Sequence, residues 1–214
     1  MEDTLRTAPY VLQKDMWPQE GRHILAQHDE ASIYVYQAYG SAIARFAVDH
    51  QRFGGEFSYS RMSWIKPNFL WMMYRSGWAT KQGQEHILAI RIRRSLFDEL
   101  LHSAVPSSPD PTRYASREGW QQALARSEVR LQWDPDHDPA GRPLRRRAIQ
   151  LGLRGDALRR FGERDLLSVA DITAFVTEQR LHLVGDLGAL LVPEERVYQP
   201  SDGAAAAAVG IDVP

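Results

Sequence analysis

Four segments of the chain alternate apolar and polar residues, and this pattern constrains the fold more than any other feature. ASIYVYQAY (31–39) and HILAIRIRR (86–94) place branched apolar residues at every second position, as a strand with one buried face does. VRLQW (129–133) and RRAIQLGL (146–153) show the same alternation, and the turn-rich stretch between them, DPDHDPAGRP, predicts a hairpin. The sequence therefore predicts at least four strands, two of which pair directly.

Segments with helical spacing lie between and after these strands. Asn68 is a suitable cap for a short helix at 69–75, which Gly77 would end. The other predicted helices occupy 41–53, 95–105, 117–127, 155–161 and, with a break at Gly185, 168–191. Strands and helices do not alternate regularly and no repeat is present, so the sequence predicts one α+β domain with a mixed or antiparallel sheet flanked by helices.

The two ends of the chain differ in composition from its middle. Residues 1–20 contain Pro9 and Pro18 and predict a loosely attached arm. The single domain is predicted over 21–200. The final stretch SDGAAAAAVGIDVP (201–214) has little to bury and predicts a flexible tail.

The overall composition excludes several classes of protein. The 26 basic and 27 acidic residues give a net charge of −1, so the whole molecule has no strong attraction to nucleic acid or membrane. The absence of cysteine excludes disulfides, thiolate zinc sites and a cysteine nucleophile. The beginning lacks the apolar core of a signal peptide, and no run approaches the ~18 apolar residues of a membrane span. We therefore expect a cytoplasmic protein without a membrane partner, whereas the composition does not predict its oligomeric state.

The segment RMSWIKPNFLWMMYRSGWATK (61–81) combines aromatic residues with cations. Between residues 61 and 94, seven cations stand against one acid, Glu85, which gives a local charge of +6. Clustered cations at the start of a helix can bind a phosphate, and exposed indoles can stack on a base or a nicotinamide ring. The alternative is that Trp64, Trp71 and Trp78 fill the core while the cations extend from it into water. The predicted ligand-binding residues are Tyr36, Gln37, Arg61, Trp64, Lys66, Arg75, Trp78 and Lys81.

Glu85 is the candidate catalytic residue of this segment. A lone carboxylate among cations is strongly ionised and suits a general base or a ribose ligand. The alternative is a structural salt bridge to Arg75 or Arg91. Tyr34 and Tyr36 are predicted on the face of their strand that points away from the core, with Gln37 at the end of the strand. The hydroxyl and amide groups either orient a polar ligand or contact water.

Two further charged stretches have a structural and a functional interpretation. The acids and the histidine of DPDHD (134–138) could hold a hard metal, but their spacing matches no metal motif and the flanking prolines favour a turn, so no metal site is predicted. The arginines of residues 142–160 either contact a nucleic-acid backbone or form the charged flank of the hairpin. Walker A, G-x-S-x-G, G-x-G-x-x-G and H-E-x-x-H motifs are absent, which argues against the commonest hydrolases, P-loop enzymes and Rossmann dehydrogenases.

Several blocks resemble the DUF4291 family, a bacterial and fungal family without an assigned function. The resemblance extends over roughly residues 20–200. One departure is Leu25, where the family usually has arginine; Arg22 or His23 is a possible substitute. The blocks that carry the resemblance are VYQAY (35–39), the segment 61–81, QEHILAI (84–90), VRLQWDPDHD (129–138), RAIQLGL (147–153) and LLVPEERVY (190–198).

The predicted order of elements is similar to small ADP-ribosyltransferase-like folds, and this similarity suggests an NAD-directed transferase. It implies Arg61 or Arg75 at the pyrophosphate, Tyr36 and Trp78 around the nicotinamide, and a glutamate at the ribose. Glu85 and Glu195 are the two candidates for that glutamate. Two non-enzymatic alternatives stay open: a module that binds RNA or DNA through the same cations, and a protein-interaction domain with exposed Trp and Met.

Overall fold

A computed structural model describes residues 5–212 of the chain. Its longest strands are the four that the alternation predicts, and each begins or ends within a few residues of the predicted position. The strands are β1 (Thr7–Pro9), β2 (Gly21–Arg22), β3 (Leu25–Ala26), β4 (Ser32–Tyr39), β5 (Ser63–Ile65), β6 (His86–Arg93), β7 (Ala104–Pro106), β8 (Val129–His137), β9 (Pro143–Leu153), β10 (Leu166–Asp171), β11 (Leu191–Pro193) and β12 (Arg196–Val197).

The helices are short, and none between residues 5 and 212 combines the length and apolar character needed to cross a bilayer. A π-helical turn at Arg160–Arg164 follows α6, and a 3-10 turn at Leu181–Leu183 follows α7. The α-helices are α1 (Tyr10–Gln13), α2 (Ser41–His50), α3 (Phe69–Ser76), α4 (Arg94–His102), α5 (Arg117–Arg126), α6 (Gly155–Arg159), α7 (Thr173–Arg180) and α8 (Gly203–Val209).

Two sheets organise the domain. Strands β10, β6 and β4 form an antiparallel sheet in that order, in which Ile90 lies between Val35 and Val169. The second sheet has the order β2-β9-β8-β7, with β5 also paired to β9. The predicted β8–β9 hairpin is confirmed, with Leu131 opposite Leu151. Strand β2 pairs in parallel with β9, and β7 pairs in parallel with β8, whereas the other strand pairs are antiparallel. The fold is therefore an α+β domain with a mixed sheet.

The sheets meet where β4 passes the end of β5. The Tyr36 amide donates to the Lys66 carbonyl over 2.7 Å, and the Lys66 amide donates to the Tyr36 carbonyl over 3.3 Å. This pair of hydrogen bonds is an isolated antiparallel bridge. It fixes Lys66 beside the most buried strand of the smaller sheet.

Strand β4 is covered on both faces, unlike the half-buried strand that its alternation predicts. Ile33 and Val35 belong to one apolar cluster, and Tyr34 and Tyr36 belong to another. Helix α3 covers the tyrosine face, and the Phe69 ring meets the Tyr36 ring edge-on at 5.6 Å. The prediction that Tyr36 lies on a face away from the core is therefore wrong.

The segment 168–191 is the largest error in the predicted secondary structure. Its first residues continue β10, because the backbone of Leu166–Asp171 pairs with the open edge of β6. The Asp171 side chain then accepts a hydrogen bond from the Thr173 amide over 2.9 Å, and α7 begins there. Val169 and Val176 are both buried, but Val169 belongs to the apolar cluster of Val35 and Val176 to that of Tyr36. The helical spacing of the apolar residues therefore does not reveal the change from strand to helix.

Both ends of the chain pack against the domain as far as they are described. Strand β1 pairs with β11, and the Trp17 indole N–H donates to the Glu195 carbonyl over 2.8 Å. Helix α8 packs on α4 and buries Ala205 and Val209. The arm predicted over 1–20 and the tail predicted over 201–214 are thus attached over residues 5–20 and 201–212; the rest of both predictions lies outside the described residues.

Candidate functional site

A cavity of about 210 Å³ lies between β4, β5 and α3 and brings together four of the predicted ligand-binding residues. Gln37 lies on β4, Trp64 on β5 and Arg75 on α3. Lys66 directly follows β5, where the bridge to Tyr36 holds it beside β4. The remaining lining residues are Ala38, Tyr39, Met62, Ser63, Met72 and Gln84.

Local sequence explains why Lys66 sits at the edge of this cavity. Pro67 disfavours a helical conformation for the residue before it, so Lys66 stays extended and bridges Tyr36. Asn68 then caps α3 as predicted, because its Oδ1 accepts from the Trp71 amide over 2.7 Å. Lys66 therefore occupies the junction between a strand and a helix.

The Lys66 side chain is a largely buried cation that forms no ion pair with any carboxylate of residues 5–212. The residue is only 6% exposed, and within residues 5–212 its amine makes no hydrogen bond or ion pair. Burial is the main cause that lowers its pKa from 10.5 to about 8; the nearby Arg75 lowers the pKa further, and Asp134 opposes the shift. An unpaired ammonium at such a depth is unfavourable unless a ligand supplies an anion or the amine loses its proton.

Arg75 provides the exposed side of the cavity. It lies in the last turn of α3, which ends as predicted at Gly77 in the left-handed conformation. The guanidinium reaches water and pairs with no carboxylate in the part of the chain that the structure covers. The cavity thus has a largely buried cation, Lys66, on its inner side and an exposed cation, Arg75, on its outer side.

Polar groups line the inner wall. The Gln37 amide nitrogen donates to Ser63 Oγ over 2.7 Å and to the Trp64 carbonyl over 3.1 Å. Ser63 Oγ also contacts the Tyr39 hydroxyl over 2.8 Å. Because this network uses the amide nitrogen, the buried Gln37 Oε1 is left without a partner among residues 5–212 and can accept a hydrogen bond from a ligand.

Trp64 lies across Gly152 of the neighbouring strand. The two residues are paired across β5 and β9, and a Cβ at position 152 would stand 2.9 Å from Trp64 Cζ2 and 2.7 Å from Met62 Sδ. Glycine therefore allows both side chains to lie flat on the sheet and form a wall of the cavity.

We expect Gly152→Ala to destabilise the protein by about 1–3 kcal/mol, because the new methyl group overpacks against Met62 and Trp64. Urea unfolding of the variant measures the change. Gly203→Ala is the matched control, since no atom lies within 4 Å of the added Cβ and the change should be neutral or slightly stabilising. Equal stability of the two variants would contradict the close packing at Gly152.

Tyr36 and Trp78, the residues predicted around a nicotinamide, are not brought to the cavity. Tyr36 is fully buried under Phe69. The Trp78 indole packs edge-on against Phe69 and donates to the Pro139 carbonyl over 3.2 Å. For these two residues, and for the buried Trp71, the core interpretation holds.

Arg61, Lys81 and Glu85 are exposed and lie outside the cavity lining. Glu85 accepts a hydrogen bond from the Gly83 amide over 2.8 Å, and this bond is the main cause that lowers its pKa. The alternative predicted for Glu85, a salt bridge to Arg75 or Arg91, is not formed among residues 5–212; Arg91 pairs with Asp29 over 3.0 Å. The cations of residues 61–94 are not among the causes of this shift, and the role of Glu85 as a base stays a prediction.

The DPDHD stretch contains a buried ion pair that its sequence does not predict. Strand β8 continues through Asp136, whose carboxylate is fully buried and pairs with the nearly buried Arg146 over 2.6 Å. Arg146 also donates to the Pro18 carbonyl over 2.6 Å and lies over the Trp17 ring. The predicted turn is confirmed only after β8, where Asp138 accepts from the Arg142 amide over 2.9 Å. No cluster of three metal-ligating side chains occurs among residues 5–212.

Glu195, the other candidate ribose ligand, is also buried. Its carboxylate accepts from the Phe69 amide over 2.6 Å and from the Asn68 side chain over 3.0 Å, so it caps the start of α3. Burial raises the pKa of Glu195 well above its ordinary value, against the effect of the Phe69 hydrogen bond. Glu195 holds the helix that carries Arg75 and does not line the cavity.

The second basic stretch is largely neutralised by ion pairs. Arg142, Arg145 and Arg146 pair with Asp138, Glu20 and Asp136. Arg159 and Arg160 pair with Glu163, Glu99 and Asp165. These ion pairs favour the interpretation of residues 142–160 as the charged flank of the hairpin over the interpretation that they contact a nucleic-acid backbone.

Leu25, the departure from the family pattern, is buried in the apolar cluster that contains Tyr36 and Phe69. It lies outside the cavity lining, as do Arg22 and His23.

Two comparisons with known proteins bear on these features. A family model with the description "Domain of unknown function (DUF4291)" matches residues 23–198. The match includes every residue of the cavity lining. No curated protein matches the chain in sequence.

Proposed function

Because the chain belongs to the DUF4291 family, a family of unknown function, we propose its function from the geometry of the cavity: it binds a small phosphate-containing ligand through Lys66 and Arg75. The observation that carries this proposal is the largely buried amine of Lys66, which has no partner among the residues that the structure describes. A phosphate would supply the missing counter-charge, and charge-assisted hydrogen bonds to it are about twice as strong as neutral ones.

The size of the cavity limits the ligand. Drug-sized and cofactor pockets usually measure roughly 300–1,000 Å³, whereas this one measures about 210 Å³. It suits a small phosphate ester, or the phosphate end of a nucleotide whose remainder extends past the exposed Arg75. Trp64 and Gln37 would then contact the atoms next to the phosphate.

An NAD-directed transferase of the ADP-ribosyltransferase-like kind is the enzymatic form of this proposal. In that form the cavity binds one phosphate of NAD, and Glu85 approaches from its exposed loop. The buried positions of Tyr36 and Trp78 give this form less support than simple phosphate binding.

The two non-enzymatic alternatives have less support. A nucleic-acid module would use the arginines of residues 142–160, of which several are paired with carboxylates. A protein-interaction hot spot would need exposed Trp and Met, yet Trp71, Trp78 and Met73 are buried.

A thermal-shift assay tests the proposal with inorganic phosphate, glycerol 3-phosphate, AMP and NAD. A ligand present at 100 times its Kd adds about 2.7 kcal/mol to the stability of the native state. We expect at least one of these ligands to raise the Tm of the wild type, and Arg75→Ala to weaken that ligand at least about tenfold, which corresponds to about 1.4 kcal/mol.

Arg61→Ala is the control for Arg75→Ala, because Arg61 is an equally charged, exposed residue outside the cavity lining. Its loss should leave ligand binding unchanged. The proposal fails if all four ligands leave the Tm unchanged, or if both arginine variants respond alike.

A further inference from the structure

The position of Lys66 suggests more than electrostatic binding. Arg75, which reaches water, suffices to attract an anion, whereas an unpaired ammonium on a residue only 6% exposed is unfavourable before the ligand arrives. A neutral amine avoids this penalty. It also has a free lone pair, because the Lys66 amine has no hydrogen-bond partner between residues 5 and 212.

We propose that Lys66 is a nucleophile that forms an imine with the carbonyl group of a small phosphate-bearing aldehyde or ketone held in the cavity. This proposal rests on the proposed function and names its substrate class. The neutral Lys66 nitrogen adds to the carbonyl carbon, the C=O π bond breaks, and one amine proton passes to the carbonyl oxygen to give a carbinolamine. The C–O bond then breaks as the C=N bond forms, and the hydroxyl leaves as water with the second amine proton, so that amine and carbonyl yield imine and water with no oxidant or reductant.

The surroundings of Lys66 increase the fraction of unprotonated amine. With a pKa of about 8, roughly a tenth of the amine is neutral at pH 7, against less than about a thousandth for an ordinary lysine. Arg75 on α3 and Asp134 on β8 are the charged groups that act on it, in opposite directions. Strand β4 contributes Gln37 and Tyr39, and burial raises the pKa of Tyr39, so both are uncharged near neutral pH.

The neighbours have distinct roles in this reaction. Arg75 lies at the exposed side of the cavity and binds the phosphate there. The unpartnered Gln37 Oε1 can accept a hydrogen bond from the carbinolamine hydroxyl and so orient it. Water produced by the reaction leaves through the same exposed side.

The chain offers internal controls for a direct test, since it contains only three lysines, Lys14, Lys66 and Lys81. Lys14 and Lys81 are exposed. The wild type is treated with glycolaldehyde phosphate and cyanoborohydride, which reduces an imine to a stable secondary amine. Peptide mass spectrometry then gives the labelling rate of each lysine between pH 6 and pH 10.

We expect Lys66 to be labelled at least tenfold faster than Lys14 and Lys81, with a rate that rises through pH 8. Glycolaldehyde, which lacks the phosphate, should label Lys66 at least tenfold more slowly. Lys66→Arg should keep the thermal shift caused by inorganic phosphate, because it retains a cation.

Two results overturn the inference in different ways. If Lys66 is labelled no faster than the exposed lysines while phosphate still raises the Tm, the nucleophile is wrong and the phosphate site stands. If glycolaldehyde labels Lys66 as fast as its phosphate does and Arg75→Ala has no effect, the phosphate-bearing substrate class is wrong, and the proposed function falls with it.

Discussion

Lys66→Met is expected to stabilise the protein at pH 7 by about 3 kcal/mol while removing its affinity for phosphate. The folded state lowers the pKa of Lys66 from 10.5 to about 8, and each unit of this difference corresponds to about 1.4 kcal/mol. Methionine fills a similar volume without a charge, so the penalty of burying the ammonium disappears. A gain in stability with a loss of binding is typical of a charge kept for function.

The pH dependence gives this prediction a second readout. Between pH 8 and pH 10.5 the unfolded wild type holds a proton on Lys66 that the folded wild type has released, so wild-type stability rises with pH across this window. The advantage of Lys66→Met should therefore be complete below pH 8 and absent above pH 10.5. Urea unfolding at pH 7, 9 and 10.5 measures it, with Lys81→Met as the exposed control. A variant less stable than the wild type at pH 7 would show that the Lys66 ammonium is compensated in the folded protein.

Arg146→Met is expected to destabilise the protein by about 3–5 kcal/mol, because it leaves the Asp136 carboxylate buried without its cation. Burial already raises the pKa of Asp136 against the opposing effect of Arg146, so loss of Arg146 should favour the protonated acid. The change also removes the hydrogen bond to the Pro18 carbonyl and so loosens the N-terminal segment. Urea unfolding and limited proteolysis within residues 5–20 measure these two effects.

The neighbouring Arg145 is the matched control for Arg146. Its side chain is 84% exposed and pairs with the exposed Glu20, so Arg145→Met should change the stability by less than about 1 kcal/mol. Combining Arg146→Met with Asp136→Leu removes both buried charges and should restore much of the lost stability. If the double variant is as unstable as Arg146→Met alone, the unpaired Asp136 charge is not the cause of the loss.

The parts of the fold that the sequence predicts are those governed by local rules. Asn68 and Gly77 bound α3 as expected, because a cap and a left-handed end depend on a few neighbouring residues. The β8–β9 hairpin is likewise local. In contrast, β10 depends on the free edge of β6, which is distant in the chain, with Val169 opposite Ile90. The attachment of residues 5–20 likewise depends on Glu195 and β11. Such distant pairings cannot be predicted from the local sequence of either strand.

The candidate site shows the same division. Lys66 precedes α3 and Arg75 lies in its last turn, so their proximity depends partly on the helix that the sequence predicts after Asn68. Strand β5, which the sequence does not predict, fixes the position of Lys66 before that helix. Composition alone does not show which indoles are exposed, and only Trp64 of the three in this segment lines the cavity. Tyr36 lies opposite Lys66 at the level of the backbone, yet α3 covers its side chain, an outcome decided by tertiary packing.

The bridge between Tyr36 and Lys66 has a consequence for the kinetics of ligand capture. Because both backbone hydrogen bonds anchor Lys66 to β4, the Lys66 backbone is already in position when a ligand enters the cavity. The outer arginine can adjust by rotamer changes on the picosecond-to-nanosecond scale, with no hinge or lid motion. Association should then follow a single exponential whose rate grows linearly with ligand concentration and falls with ionic strength.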